Sequence, residues 1–501
     1  MKNRRVLPIN RRVNTSIRPT GTRPGTLVVA LLAFFAVTPN TLAFQPACDS
    51  AVLWDTLPEY PISITNNAVT STRNPDGSTT IYSFMGITNP VGRLFITAAS
   101  YKITIPGDNA WTQIADAPTL NSLPKIAASA LSADNNRIFL IGGYTVEQRR
   151  ETTEKRLFEY DPVNNQYIEH AFVPVEVDDT VAAVFQDRYI YLISGWHGPI
   201  NNNVRDVQIY DAVTDQWSAA TPIIGPISGL FGHSGTIIDN RIIYFDGVTT
   251  TGGFNISSRM FEGVIDPNHA GRIDVIKWAE LPPHPGLPTY RAAASQGGAS
   301  TADSNLMLLT GGTDNPYNFN GVGYNGQPSS PLTQFLAFNP VTGTWHEPER
   351  FVGEFIPTMD HRGFVRVGDS WVTVGGMTEP KIATNRVQRA TPVTNQPVLA
   401  PPAPGIAGEM NTIEIACGTP GERVRLFYAF KLGATPVPNC PGVNLNLKNP
   451  RAVASAVYDS KGTAIITGLV PQTAASITIH FQALEPQTCR TSNPISFRFK
   501  E

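Results

Sequence analysis

The sequence predicts an all-β chain: a ring of six four-stranded blades closed by a strand from its own N-terminus, followed by a small immunoglobulin-like β-sandwich. Three observations predict this. Gly and Pro number 41 and 42 while charged residues make up only 16%, a composition of short strands and turns. One phrase recurs between residues 60 and 390. Past a Pro-rich stretch, the chain changes to short alternating strands that lack the phrase.

The first 43 residues carry seven basic residues (Lys2, Arg4, Arg5, Arg11, Arg12, Arg18, Arg23), no acid, and the apolar run "TLVVALLAFFAV" from Thr26 to Val37. A basic stretch, an apolar run and a small-residue site ending at Ala43 predict a secretory signal peptide over 1–43. At ~1.5 Å per residue the run is too short for a ~30 Å bilayer core, so no stable membrane insertion is expected after cleavage. The expected location is periplasmic, cell-surface or extracellular. Losing the seven leader charges moves the formal net charge from −2 to −9, which argues against nucleic acid or anionic lipid as partners.

The recurring phrase is an apolar run ending in Gly, a polar loop, a short strand, an acidic turn and an aromatic. Its clearest copies are "RIFLIGG" with "RLFEYDPVNNQY", "RYIYLISG" with "VQIYDAVTDQW", and "NLMLLTGG" with "QFLAFNPVTGTW". In each, an aromatic stands seven residues before the closing aromatic: Tyr160 and Tyr167, Tyr210 and Trp217, Phe338 and Trp345. The runs end at Gly86, Gly143, Gly195, Gly247, Gly312 and Gly376, spaced 52 to 65 residues apart, which gives six blades over 44–391. A continuous apolar run suits a strand buried on both faces, and Asp at the turn starts a tight reversal. The sixth copy, "SWVTVGG", runs out without a closing aromatic, whereas "LWDTLPEYP" near the start matches the ends of other copies, such as "KWAELPPHP". Residues 51–57 are therefore expected to supply the missing outer strand and so remove the exposed edges of the ring. On these motifs, residues 50–390 resemble the kelch β-propeller family, a likeness specific for fold and silent on function.

Residues 392–405 read as a Pro-rich linker and 406–501 as the sandwich. The segments "NCPG", "YDSKGTA", "LVPQTAAS" and "FQALEPQTCRTSN" resemble a C-terminal module of secreted bacterial proteins, and the resemblance implies a disulfide between Cys440 and Cys489. Of four cysteines, Cys48 and Cys417 then remain. They would either staple the start of the propeller to the tail or stay as two thiols.

Propeller ligands meet the channel mouth, where aligning the repeats places Asp178, Asp179, His233, Tyr290, Arg291, His361 and Arg362. Arg291 and Arg362 match an arginine position of kelch repeats and suit a carboxylate. Alternatively, these side chains brace neighbouring blades. The loops after the glycines add Trp196 with His197, and Tyr317, Phe319 and Tyr324 in a long Asn- and Gly-rich loop, aromatics among amides of the kind that a sugar ring or a protein patch engages.

The organisation resembles galactose oxidase, but that copper site needs a propeller cysteine and none lies between Cys48 and Cys417. The repeated boxes of sialidases are missing, and no spacing suggests a metal site or another cofactor. A six-bladed kelch sialic-acid mutarotase offers the catalytic alternative, with His233 and His361 as acid and base beside the arginines. The expected function is an exported binding or adhesion module for an extracellular glycan or protein; the alternative is a sugar mutarotase or epimerase acting at the channel mouth.

Overall fold

The structure is a computed structural model that describes residues 50–148, 150–295, 306–394 and 396–501. The expected leader and Cys48 lie outside the described residues. Within them the chain is all-β: strands joined by turns, and three single-turn 3-10 helices.

Six sheets of four or five strands, antiparallel but for one pair in the sixth, follow one another along residues 50–394. The first runs Ala68–Arg73, Thr79–Phe84, Ser100–Ile105 and Thr112–Ile114. The second runs Ile126–Ala133, Arg137–Glu147, Leu157–Asp161 and Gln166–His170. The third holds Val181–Phe185, Tyr189–His197, Asn202–Asp211 and Gln216–Ala220. The fourth holds Ser234–Ile238, Arg241–Phe245, Met260–Ile265 and Ile276–Leu281. The fifth holds Ala293–Ala294, Met307–Thr310, Phe335–Asn339 and Thr344–His346. The first strand of each sheet lies beside the first strand of the next. Val365–Val367, which opens the sixth sheet, returns to Ala68–Arg73.

The seven-residue aromatic spacing is a cross-strand pair. Tyr160 stands opposite Tyr167, Tyr210 opposite Trp217, and Phe338 opposite Trp345. Their ring centroids lie 5.2, 5.2 and 4.9 Å apart. The acidic turn between them is an Asx turn: the Asp161 carboxylate accepts the Val163 and Asn164 amides at 2.9 and 3.2 Å. In the first four sheets the closing aromatic also donates to the preceding sheet or the segment leaving it. Trp217 Nε1 donates to the Ala171 carbonyl at 2.9 Å, Trp278 Nε1 to Thr221 at 3.1 Å, and Trp111 Nε1 to Pro58 at 2.9 Å. One side chain thus caps its own hairpin and ties it to its neighbour. At Gly142 (φ +70°) a β-carbon would come within 2.4 Å of the Val177 carbonyl in the segment leading to the third sheet, so glycine is required there.

The sixth sheet contains the N-terminal strand. Ser50–Thr56 runs antiparallel to Val387–Thr394, pairing Trp54 with Ala390, and Arg389 holds Asp55 by Nε at 2.8 Å. Trp54 is 1% exposed, stacked on Phe355 at 4.2 Å and edge-on to Phe335 of the fifth sheet at 6.1 Å. A fifth strand, Arg350–Gly353, lies parallel to it on the outside, which the repeat pattern did not indicate.

Beyond the sixth sheet, Val398–Leu399, Met410–Ala416 and Ala464–Leu469 form one sheet. Arg423–Ala429, Arg451–Val457 and Thr478–Glu485 build a second, and side chains from both meet in one core. The hairpin Leu432–Pro436 with Asn444–Leu447 lies outside the expected strands: Asn444–Leu447 alternates exposed and buried residues, but its partner Leu432–Pro436 is mostly exposed and carries no apolar pattern. Within 392–405, Pro392 and Val393 belong to the strand beside Ser50–Thr56, and Val398–Leu399 pairs with the sheet that comes after. Cys440 and Cys489 are joined by a disulfide. Cys417 is buried, disulfide-bonded, and clustered with Ala51, Leu53 and Val393.

Deleting residues 50–60 removes the pairing partner of Val387–Thr394 and uncovers the Trp54 site. A Trp54→Ala variant is expected to lose about 3–5 kcal/mol in urea denaturation, as for other buried aromatics, and the deletion more. Equal midpoints for deleted and intact chains would remove this strand from the structural framework.

Candidate functional site

At the entry of each inner strand stands a residue with left-handed backbone: Asn66, Ala127, Asp179, Gly232, Arg291 and Asp360, with φ between 50° and 73°. Backbone hydrogen bonds link five of them, from Ala127 to Asp360, in series. Asp179 N donates to Ala127 O at 3.5 Å, Gly232 N to Asp179 O at 2.8 Å, Arg291 N to Gly232 O at 2.9 Å, and Asp360 N to Arg291 O at 3.2 Å. The left-handed turn aims each amide at the previous carbonyl and swings the side chain inward. Arg291 is therefore equivalent to Asp360, and Arg362 stands two residues later, so the two arginines do not share a repeat position.

They meet nevertheless. Arg291 Nη2 and Arg362 Nη2 grip the two carboxylate oxygens of Asp179. Asp360 Oδ1 faces both, 3.1 Å from Arg291 Nη1 and 3.6 Å from Arg362 Nη1. Asp360 Oδ2 accepts from Thr65 Oγ1 at 2.9 Å and from Asn66 Nδ2. None of the four charged side chains is more than 7% exposed. Burial raises the Asp360 pKa against the pull of Arg291 and Arg362. Burial opposes the Arg291 charge, but Asp179, Tyr290 and Asp360 outweigh it and keep that pKa well above the ordinary value. Asp178, beside Asp179, is pushed well up by burial and by its neighbour's charge.

A roof lies over the ions. Tyr290 OH donates to the Tyr317 carbonyl at 2.8 Å, and Arg291 Nη1 to the Asn318 carbonyl. The Asn318 amide accepts from Tyr144 OH at 3.2 Å and donates to Glu151 at 2.7 Å. The Lys381 amide donates to Asn320 O at 2.9 Å. Around these contacts Ile87, Tyr144, Phe231, Tyr290, Tyr317 and Met377 form one buried apolar cluster. The polar funnel expected at the channel mouth is instead a buried ion cluster under an apolar plug.

Below the roof His233, His361, Arg291, Arg362 and Asp179 border a cavity of about 60 Å³. That admits a few water-sized groups, whereas small-molecule sites begin near ~300 Å³. His233 Nε2 donates to the Ile193 carbonyl at 2.9 Å, and His361 Nε2 meets Thr358 Oγ1 at 2.8 Å. Burial pushes His233 down to about 4, and burial with the Arg362 charge does the same to His361. Both are neutral near pH 7 and poorly matched to acid–base work there. No group of three or more His, Cys, Asp or Glu able to hold a metal occurs among the described residues.

Trp196 and His197 stand apart from this cluster. His197 Nδ1 donates to Glu176 O at 2.7 Å, and Trp196 is half-buried. Trp196 lies 5.9 Å from Phe254, which stacks on Tyr324 at 4.1 Å with 15° between planes. Three loops thus present one aromatic patch, with Phe254 40% and Tyr324 41% exposed among Asn202, Thr250 and Asn255. Sequence reasoning passed over Phe254, in "TGGFN", and Asp360; the only signal was their nearness to Gly247 and to His361.

Residues 180–222 match the kelch motif. This segment spans the third sheet, where the repeat phrase is clearest. Human Kelch-like protein 15 is 26% identical over 145 residues, 29% of this chain and 22% of that protein, and the mouse protein aligns equally. A kelch repeat-containing protein of Dictyostelium discoideum is 33% identical over 91 residues, 18% of this chain and 13% of its own. The chain thus spans about a fifth or less of the length of these curated relatives. The solved structure of YjhT superposes with a TM-score of 0.51 at 17% identity, covering 69% of this chain and 97% of that one. The repeated part has the kelch-repeat β-propeller fold.

Removing one partner from the buried cluster leaves uncompensated charge. Arg291→Met is expected to cost about 3–5 kcal/mol, measured by urea denaturation; a loss below 1 kcal/mol would refute the bracing role. The histidines give a pH signature. Their ordinary value is 6.5 and the folded value about 4, so the unfolded chain binds more protons in between. Their contribution to stability is present above pH 6.5 and lost as pH falls toward 4. His233→Gln is expected to lower the slope of stability against pH in that window; an unchanged slope would show that His233 titrates normally.

Proposed function

We infer that the chain is the binding part of an exported protein: a six-bladed propeller closed by Ser50–Thr56, with a β-sandwich behind it, recognising an extracellular glycan or protein through its loop face. The aromatic patch of Trp196, Phe254 and Tyr324 carries this reading. Flat rings set among amides and hydroxyls offer both apolar contact and hydrogen bonds. The kelch motif is consistent with a propeller that binds other proteins. Ring closure is supported by the pairing of Ser50–Thr56 with the sixth sheet and by the return of Val365–Val367 to the first.

Against the mutarotase alternative stand the small cavity, the two histidines held neutral near pH 7, and arginines already committed to Asp179. A sugar carboxylate would have to displace an internal carboxylate, that of Asp179, from both arginines.

The test is a glycan array and an extracellular-protein array probed with the chain from Phe44 onward, and with its Phe254→Ala/Tyr324→Ala variant. Because both rings are about two-fifths exposed, the variant is expected to keep its melting temperature and lose binding by about tenfold or more. Binding that survives in the variant would place recognition elsewhere, and anomer exchange on any bound sugar would restore the enzymatic reading.

A further inference from the structure

Three sheets finish their outer edge with the same hydrogen bond. Six residues after the closing aromatics Trp111, Tyr167 and Trp217, the amides of Ala117, Val173 and Ile223 donate to Ala98, Lys155 and Arg205 at 2.8, 2.8 and 3.1 Å. Those three donor residues are at most 3% exposed. In the sixth sheet Leu57 N donates to Val387 O at 3.0 Å, and the fourth sheet pairs along all of Met260–Ile265.

The fifth sheet departs from this pattern. Six residues after Trp345 comes Phe351, which has left the sheet and stands opposite Val52 in the sixth. The carbonyl that corresponds to Lys155 and Arg205, by its distance before the paired aromatic, is that of Thr333. Among the described residues nothing donates to it, and Phe335 and Leu336 have no strand on their outer side, where Ala337, Phe338 and Asn339 pair with His346, Trp345 and Thr344. Beside this edge opens a cleft of about 400 Å³ walled by Pro285, Leu287, Leu332, Phe335, Leu336 and Phe351. Exposed Glu347 stands on its rim.

We propose that this cleft is a docking site for an extended segment of a partner protein, which adds itself as the missing outer strand of the fifth sheet. The vacancy has the shape of a strand because the other sheets fill it with their own chain. Main-chain groups of the segment pair with Thr333–Leu336, and an apolar side chain takes the place that Val173 and Ile223 fill in their sheets. A basic side chain beside it meets Glu347. This surface is independent of the aromatic patch on the loop face.

The test uses the full chain and a synthetic eight-residue peptide alternating valine and threonine with a lysine at one end. Hydrogen-exchange mass spectrometry is expected to show protection confined to residues 333–336, and fluorescence anisotropy to show saturable binding. Methylating alternate backbone nitrogens of the peptide weakens binding about tenfold or more, because ladder hydrogen bonds are lost. Leu287→Arg, at a side chain 54% exposed, does the same without lowering the melting temperature, while Leu287→Met and Phe254→Ala/Tyr324→Ala leave binding unchanged. No protection at 333–336 with millimolar peptide, or equal binding of the methylated peptide, overturns the proposal.

Discussion

The series of backbone hydrogen bonds through Ala127, Asp179, Gly232, Arg291 and Asp360 is the constraint on which much else rests. Each bond joins the entry of one sheet to the entry of the next, so the sheets are held in sequence around the channel by main-chain groups that any side chain could supply. The requirement falls on conformation: each residue adopts a left-handed turn that costs a non-glycine residue of order 1 kcal/mol or more. The bonds satisfy amides that would otherwise be buried without partners. Once the turns are in place, the side chains at those positions point at one another. Asp179, Arg291 and Asp360 then form a neutralising set, with Arg362 as the second cation.

At the opposite side of each sheet the closing aromatic makes the second set of links. In the first four sheets it sends an indole or phenol donor to the preceding sheet, as Trp217 does to Ala171 and Tyr167 to Ala115, whereas in the fifth Trp345 makes the link by packing against Phe245 of the fourth. Packing and hydrogen bonding between neighbours are thereby coupled in one residue, which explains why the phrase repeats with fixed internal spacing while loop lengths vary. In the fifth sheet the chain after the aromatic is diverted to the sixth, so the framework survives and an edge is left open.

These two layers bear directly on function. A cluster of two arginines and two aspartates with a pair of histidines looks catalytic in projection. Its burial, its internal pairing and the roof of Tyr317 and Asn318 make it part of the scaffold. Phe254 and Tyr324 instead lie partly exposed, stacked on each other in a patch with Trp196. The kelch motif at 180–222 fits that division, with a framework of fixed spacing inside and loops of varied length outside.

By itself the sequence determined the all-β class, the repeat and its period, the cross-strand aromatic pairs and the match between residues 51–57 and the ends of other repeats. These are local patterns, set by strand burial, turn chemistry and glycine, and they are legible wherever partners sit within about ten residues. It also brought Asp179, His233, Tyr290, Arg291, His361 and Arg362 to one place through repeat alignment. Only the tertiary structure decided what that place is. Asp360 and Asn66 lie 294 residues apart and meet across the channel mouth. Phe254 and Tyr324 come from different loops and stack into one patch. Phe351 leaves its own sheet for the next. Each outcome depends on which distant segments compete for the same space, and periodicity within a repeat carries no record of that competition.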